Sequence, residues 1–163
     1  MRPTYSLHTI ANGDRGTKQT LNIMSSIVKS YKRAPAVREL ALKLTAGIPN
    51  HHYSAEAAEL HAWVQSNIRY VKDVRGVETI QTPIQTLRLK AGDCDDMSTM
   101  LAALLESIGH PTRFVAVGFK SRGFSHVLTQ TKVGKIWVWL ECTKPLAYGE
   151  RPENMTKFMQ VHN

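Results

Sequence analysis

A chain of 163 residues with 42% hydrophobic content is long enough for one domain whose core needs no metal or disulfide staple. No apolar run approaches the roughly 20 residues needed to span a bilayer, and Met1-Arg2-Pro3-Thr4-Tyr5 lacks the apolar run of a signal peptide, so the expected compartment is the cytoplasm and no membrane partner is expected. The net charge of +8 is uneven: residues 1–50 hold eight Lys and Arg against two acids, residues 51–100 five against seven, and residues 101–163 eight against four. Such a basic N-terminal region either meets an acidic partner or is a solvated helix face. No aromatic residues interleave with its bases and no nucleic-acid motif appears, so nucleic acid is disfavoured as a partner.

In chain order, residues 1–16 contain Asn12-Gly13-Asp14-Arg15-Gly16 and read as an irregular arm. From Thr17 to Arg33, Leu21, Met24, Ile27, Val28 and Tyr31 recur at helical spacing. Pro35 fits the first turn of a second helix carrying Val37, Leu40, Ala41 and Leu44, and Gly47 its stop. Ser54 reads as the N-cap of a third helix with Leu60, Trp63, Val64 and Ile68, and Ile68-Arg69-Tyr70-Val71 as a short extended exit. Thr82-Pro83 opens a helical turn with Ile84 and Leu87. Gly92 breaks the chain before a helix from Cys94 to Ile108, whose Met97, Leu101, Leu104, Leu105 and Ile108 form one apolar stripe.

After Pro111 the pattern turns β-branched and aromatic. Segments Arg113–Lys120, Phe124–Lys132 and Lys135–Cys142, joined at Ser121-Arg122-Gly123 and Val133-Gly134, predict a three-stranded antiparallel meander. Residues Arg151 to Asn163 read as a tail with one helical turn. Helices followed by a sheet imply an α+β domain, with N-terminal helices packed on a C-terminal antiparallel sheet. The expected layout is a single domain over 1–163: a basic helical extension over 1–50, a core over 54–143 and a tail over 144–163.

Gly92-Asp93-Cys94-Asp95-Asp96, Ser125-His126-Val127 and the stretch Trp137 to Thr143 share one chemical logic. A thiol at a helix N-terminus can have its pKa lowered by unpaired backbone N–H groups and a neighbouring imidazolium. Asp93 suits the cap. Asp95 and Asp96 oppose a thiolate next door, so a cation is needed, and His126 is the candidate. On an extended strand Trp137, Trp139 and Glu141 share one face. A carboxylate there needs a partner, and antiparallel pairing can bring His126 beside it.

These motifs resemble the transglutaminase-like superfamily, whose papain-like thiol site joins a Gly-Asp-Cys-Asp-like turn, a strand His and an acid on the next strand. The resemblance runs from about Ala58 to Thr143 and includes Ala62-Trp63-Val64, Asn67-Ile68-Arg69-Tyr70 and Ile108-Gly109-His110-Pro111. It implies a papain-like core with Cys94 as nucleophile at a helix N-terminus, His126 as base and then acid, and Glu141 as orienting group. The family usually has Asp where this chain has Glu141. The backbone N–H of Cys94 is one expected oxyanion donor, and Gln81, Gln85, Trp63 and Asp93 are the oxyanion or substrate candidates. Small stand-alone members occur in bacteria and their phages.

Asp93, Asp95 and Asp96 lack the glycine and distal glutamate of a Ca²⁺ loop, and His51, His52 and His61 lack a zinc pattern, so no metal and no cofactor is expected. The expected function is thiol-dependent cleavage or exchange of an amide or peptide bond through a thioester, with a protein or peptide substrate. The alternative is a non-enzymatic binding or assembly module on the same fold, such as a phage structural part bound to virion components.

Overall fold

The structure, a computed structural model, describes residues 6–74, 78–120 and 123–163. Helix α1 (Gly13–Tyr31) starts four residues earlier than Thr17, inside the stretch read as an irregular arm. Gly16 permits this: a Cβ there would lie 1.8 Å from the Ala11 carbonyl oxygen, so only glycine lets the incoming arm cross the first turn. Leu21, Met24 and Val28 form its buried stripe. Helix α2 (Pro35–Thr45) carries its proline in the first turn and buries Val37 and Ala41. Helix α3 (Tyr53–Asn67) begins one residue before Ser54, with His52 at the N-cap position, and buries Ala57, Leu60, His61 and Val64.

Strand β1 (Arg69–Tyr70) runs parallel to β2 (Ala91–Gly92), latched by Arg69 N–H to Lys90 O at 2.9 Å and Val71 N–H to Gly92 O at 2.8 Å. Between them lies α4 (Pro83–Leu89), capped by the Thr82 hydroxyl, which accepts from the Gln85 N–H. Helix α5 (Cys94–Ser107) is the centre of the molecule. Met97, Met100, Leu101, Ala102, Ala103, Leu104 and Leu105 are all buried, so apolar contact surrounds it rather than lining one stripe. Burying each Leu or Met contributes roughly 1.5–3 kcal/mol.

The sheet contains β3 (Thr112–Phe119), β4 (His126–Val133), β5 (Ile136–Leu140) and β6 (Met155–His162), in the order β5-β4-β3-β6 with every pair antiparallel. The three predicted strands are present. The β4–β5 hairpin turns at Gly134-Lys135, since Val133 pairs with Ile136. Of the predicted β3–β4 turn, Ser121 and Arg122 lie outside the described residues. The reading of Arg151 to Asn163 as a tail with one helical turn is corrected: Met155–His162 is β6, paired along β3 from Arg113↔His162 to Phe119↔Met155.

The basic extension is also built into the core. Leu21, Met24 and Val28 of α1 cluster with Phe114, Ala116 and Val127, joined by Met159 and Val161 of β6. Two of its cations hold α5: Lys32 Nζ lies 3.1 Å from Glu106 Oε2, and Arg38 Nη1 donates to the Ser107 carbonyl at 2.6 Å. No helix among the described residues is long and apolar enough to cross a membrane.

Candidate active site

The N-terminus of α5 is organised by three acids. Asp93 Oδ1 accepts from the N–H groups of Asp95 at 3.0 Å and Asp96 at 3.2 Å. Asp96 returns the contact, accepting from Asp93 N–H at 3.1 Å and from Gln81 N–H at 2.7 Å. This is a capping box, which is why the helix starts at Cys94. Met97 N–H goes to the Asp93 carbonyl, so the Cys94 N–H is the first-turn donor left outside the cap. Gly92 is required by this closeness: a Cβ there would lie 2.5 Å from Asp96 Cβ. Gly92→Ala is expected to destabilise the fold by about 1–3 kcal/mol, as overpacking does, read as a lower denaturation midpoint in urea.

Cys94 is partly buried against Val127, Phe124 and Ala102. The expectation of an acidified thiol is not met. Burial pushes the thiol well above its ordinary range, and the Asp95 charge adds to this, while only the Val127 backbone N–H favours the thiolate. The Sγ–H points to Asp95 Oδ1 at 3.6 Å. The acids respond in the same direction. Burial first, then the Asp93 charge, raises Asp95 to about 8. Burial raises Asp96 to about 7 against the opposing Gln81 N–H. A helix dipole is too weak to offset two desolvated carboxyls beside a desolvated sulfur.

His126 opens β4, and Glu141 follows β5. The structure brings them together: His126 Nε2 donates to Glu141 Oε2 at 2.6 Å, with the Glu141 side chain fully buried. Glu141 Oε1 accepts from both the N–H of Thr143 at 2.7 Å and its hydroxyl at 2.8 Å. Burial would raise this carboxyl, yet the His126 bond and charge and the Thr143 donors hold it below its ordinary value. With Nε2 donating, Nδ1 of the neutral ring carries the free lone pair. Val127, whose backbone favours the Cys94 thiolate, is the residue that follows His126 on β4.

The family model described as the transglutaminase-like superfamily matches residues 38–142. The chain belongs to the transglutaminase-like superfamily. Among solved structures it is similar to a Parabacteroides distasonis protein called a "putative protease", with TM-score 0.63 and 15% identity over 76% of this chain and 26% of that one. It is also similar to a Cytophaga hutchinsonii protein called a "putative cysteine protease", with TM-score 0.59 and 18% identity over 86% of this chain and 52% of that one. At these identities the likeness shows the shared fold, and the chain spans about a quarter and about half of the two proteins' lengths. No curated protein matches the sequence.

In this transglutaminase-like core the remaining candidates scatter. Gln81 is held next to the α5 cap by its own N–H, and its side-chain oxygen accepts from the Thr86 hydroxyl at 3.4 Å. Gln85 sits in the first turn of α4, with its N–H on the Thr82 cap. Trp63 packs against the Val37, Leu60 and Leu104 cluster, separate from the cluster that includes Cys94. Asp93 is spent on the cap. One ligating atom from each of Asp93, Cys94 and Asp95 lies within 4.8 Å of the others, and a cation there would compete with the two N–H groups on Asp93.

Sequence reasoning missed three contributors. Tyr70, paired opposite Gly92 and 47% exposed, has its phenol pushed up by burial first and then by the neighbouring Cys94, Asp93 and Asp95 groups, so it lies near the N-terminus of α5. His61 Nε2 donates to the Glu141 carbonyl at 2.6 Å, and Gln65 Nε2 donates to the carbonyls of Glu141, Lys144 and Leu146 at 2.8–3.0 Å. Their i, i+4 spacing on α3 was the available signal. Together they anchor the turn that carries Glu141.

Proposed function

We propose that this chain is a thiol-dependent acyl-transfer enzyme acting on an amide or peptide carbonyl, as a cysteine peptidase or amidase or by transfer to an amine. Cys94 Sγ attacks the carbonyl carbon while His126 Nδ1 takes the thiol proton. The oxyanion forms against the Cys94 N–H, with Gln81 and Tyr70 as flanking donors. As the C–N bond breaks, His126 returns the proton to the departing amine, leaving a thioester on Cys94. Water or a second amine then releases the acyl group. Glu141 holds the ring in the required tautomer. The raised thiol fits proton removal during attack, rather than a resting thiolate–imidazolium pair.

The supporting observation is the buried Glu141 carboxylate on His126 Nε2 at 2.6 Å, with His126 next in the chain to Val127, whose backbone favours the Cys94 thiolate. A buried carboxylate with three donors, one of them from a histidine, is a costly arrangement unless the ring is to be oriented. The test is interception. The protein is incubated with a pool of peptides, quenched in acid and mapped by mass spectrometry, with hydroxylamine added in parallel. An acyl adduct on Cys94, absent from Cys94→Ala and released as a hydroxamate, supports the reading.

One observation favours a second reading, a non-enzymatic binding module: the thiol is held neutral. No adduct with any peptide, together with a partner that binds wild type and Cys94→Ala equally, would replace the enzyme by the module.

A further inference from the structure

We propose that Asp95 is a positioning residue that restrains the nucleophile: its carboxyl holds the Cys94 thiol in a hydrogen bond and, once ionised, opposes the thiolate, so that removing this one carboxyl speeds sulfur chemistry in the alkaline range. The inference rests on the reading of Cys94 as nucleophile and adds a control to the same site.

The geometry carries it. Asp95 Oδ1 lies 3.6 Å from Cys94 Sγ, and the residue is 8% exposed. The thiol is the one hydrogen-bond partner of its side chain among the described residues. Asp93 and Asp96 each carry two backbone donors, and both are committed to the cap. No Lys, Arg or His among the described residues pairs with any of the three acids. A partly buried sulfur therefore has a desolvated carboxyl within hydrogen-bond reach, and the Val127 backbone is the one group that favours its thiolate.

The surrounding groups do not relieve Asp95. From its own helix and cap it faces Cys94, Asp96 and Asp93. Glu78, from the segment before α4, adds negative charge to Asp95, and Asp73 adds it to the neighbouring Asp93 and Asp96. Tyr70 on β1 contributes a neutral phenol. The helix amides that would favour a thiolate are taken by Asp93, so the dipole reaches the sulfur weakened. Thiol and carboxyl are then one coupled pair, and losing the carboxyl leaves the sulfur to titrate alone.

The experiment is iodoacetamide alkylation of the full-length chain between pH 6 and 10, with modification of Cys94 read by peptide mass spectrometry. Buried Cys142 is thereby counted separately. In Asp95→Asn and Asp95→Ala the alkylation rate between about pH 9 and 10 is expected to rise about tenfold or more, the change that a thiol titrating about one pH unit lower produces. Asp95→Glu, which keeps an ionisable carboxyl, is expected to retain slow alkylation. Rates equal to or below wild type in both neutral variants would overturn the proposal, and melting curves identify a variant that alkylates only because it has unfolded. Alkylation needs no substrate. An acyl adduct with an unchanged profile would sink only this inference, and a shifted profile with no acyl adduct would sink only the catalytic reading.

Discussion

His126→Gln is expected to lower acylation of Cys94 by about 10²–10⁴-fold, the usual contribution of a positioned general base and acid. Glutamine keeps an N–H donor for the buried Glu141 but has no site that can take and return a proton. The comparison thus separates proton transfer from packing. His126→Ala would remove both, leaving Glu141 buried with only the Thr143 donors, so its loss of activity would mix chemistry with instability. The measurement is the single-turnover rate of adduct formation on Cys94, beside thermal melting of each variant. A His126→Gln protein that acylates at the wild-type rate would remove the histidine from the mechanism.

Glu141→Ala is expected to cost about 3–5 kcal/mol of stability, the range for breaking a buried charged network by removing one partner. His126 Nε2, the Thr143 N–H and the Thr143 hydroxyl would lose their acceptor together, in a site where water does not replace it. The pH dependence gives the sign. The Glu141 carboxyl sits below its ordinary 4.5 in the folded chain, so its contribution is present above pH 4.5 and is lost as pH falls through the folded value. The melting gap between wild type and Glu141→Ala is expected to be full at pH 6 and to narrow below pH 4.5. Asp95 and Asp96 act in the opposite sense. Raised from 3.8 to about 8 and about 7, they contribute most below pH 3.8, and that stability is lost as pH rises through 7 to 8 in both proteins alike. A gap that stays constant from pH 6 to pH 3 would mean that Glu141 is not ionised in the folded state.

The length of the Glu141 side chain has a physical consequence in these contacts. The longer side chain lets one oxygen reach His126 while the other accepts two bonds from Thr143. Threonine two residues on is part of the same arrangement. Glu141→Asp is therefore a change of reach more than of charge.

The elements legible in the sequence were those whose signals lie within a few residues. Thr82-Pro83 capped α4, Asp93 capped α5, and the β-branched and aromatic enrichment after Pro111 marked β3 to β5. Strand β6 was not legible because two residues break its alternation. Lys157 occupies a partly buried inward position, where its ammonium reaches Asp14 at 3.0 Å and lies 4.2 Å over the Phe124 ring. Phe158 turns outward and is 60% exposed. The strand exists because β3, about forty residues earlier, offers it an edge.

By itself the sequence determined the family, the helix start at Cys94 and the chain order of thiol, imidazole and carboxylate, since capping chemistry and periodicity are written in neighbouring residues. Only the tertiary structure decided the state of the sulfur. Its neutrality follows from desolvation and from which charges lie near it, and both depend on segments as distant as Asp73, Glu78 and Val127. Burial is a property of the packed chain, and no local pattern encodes it.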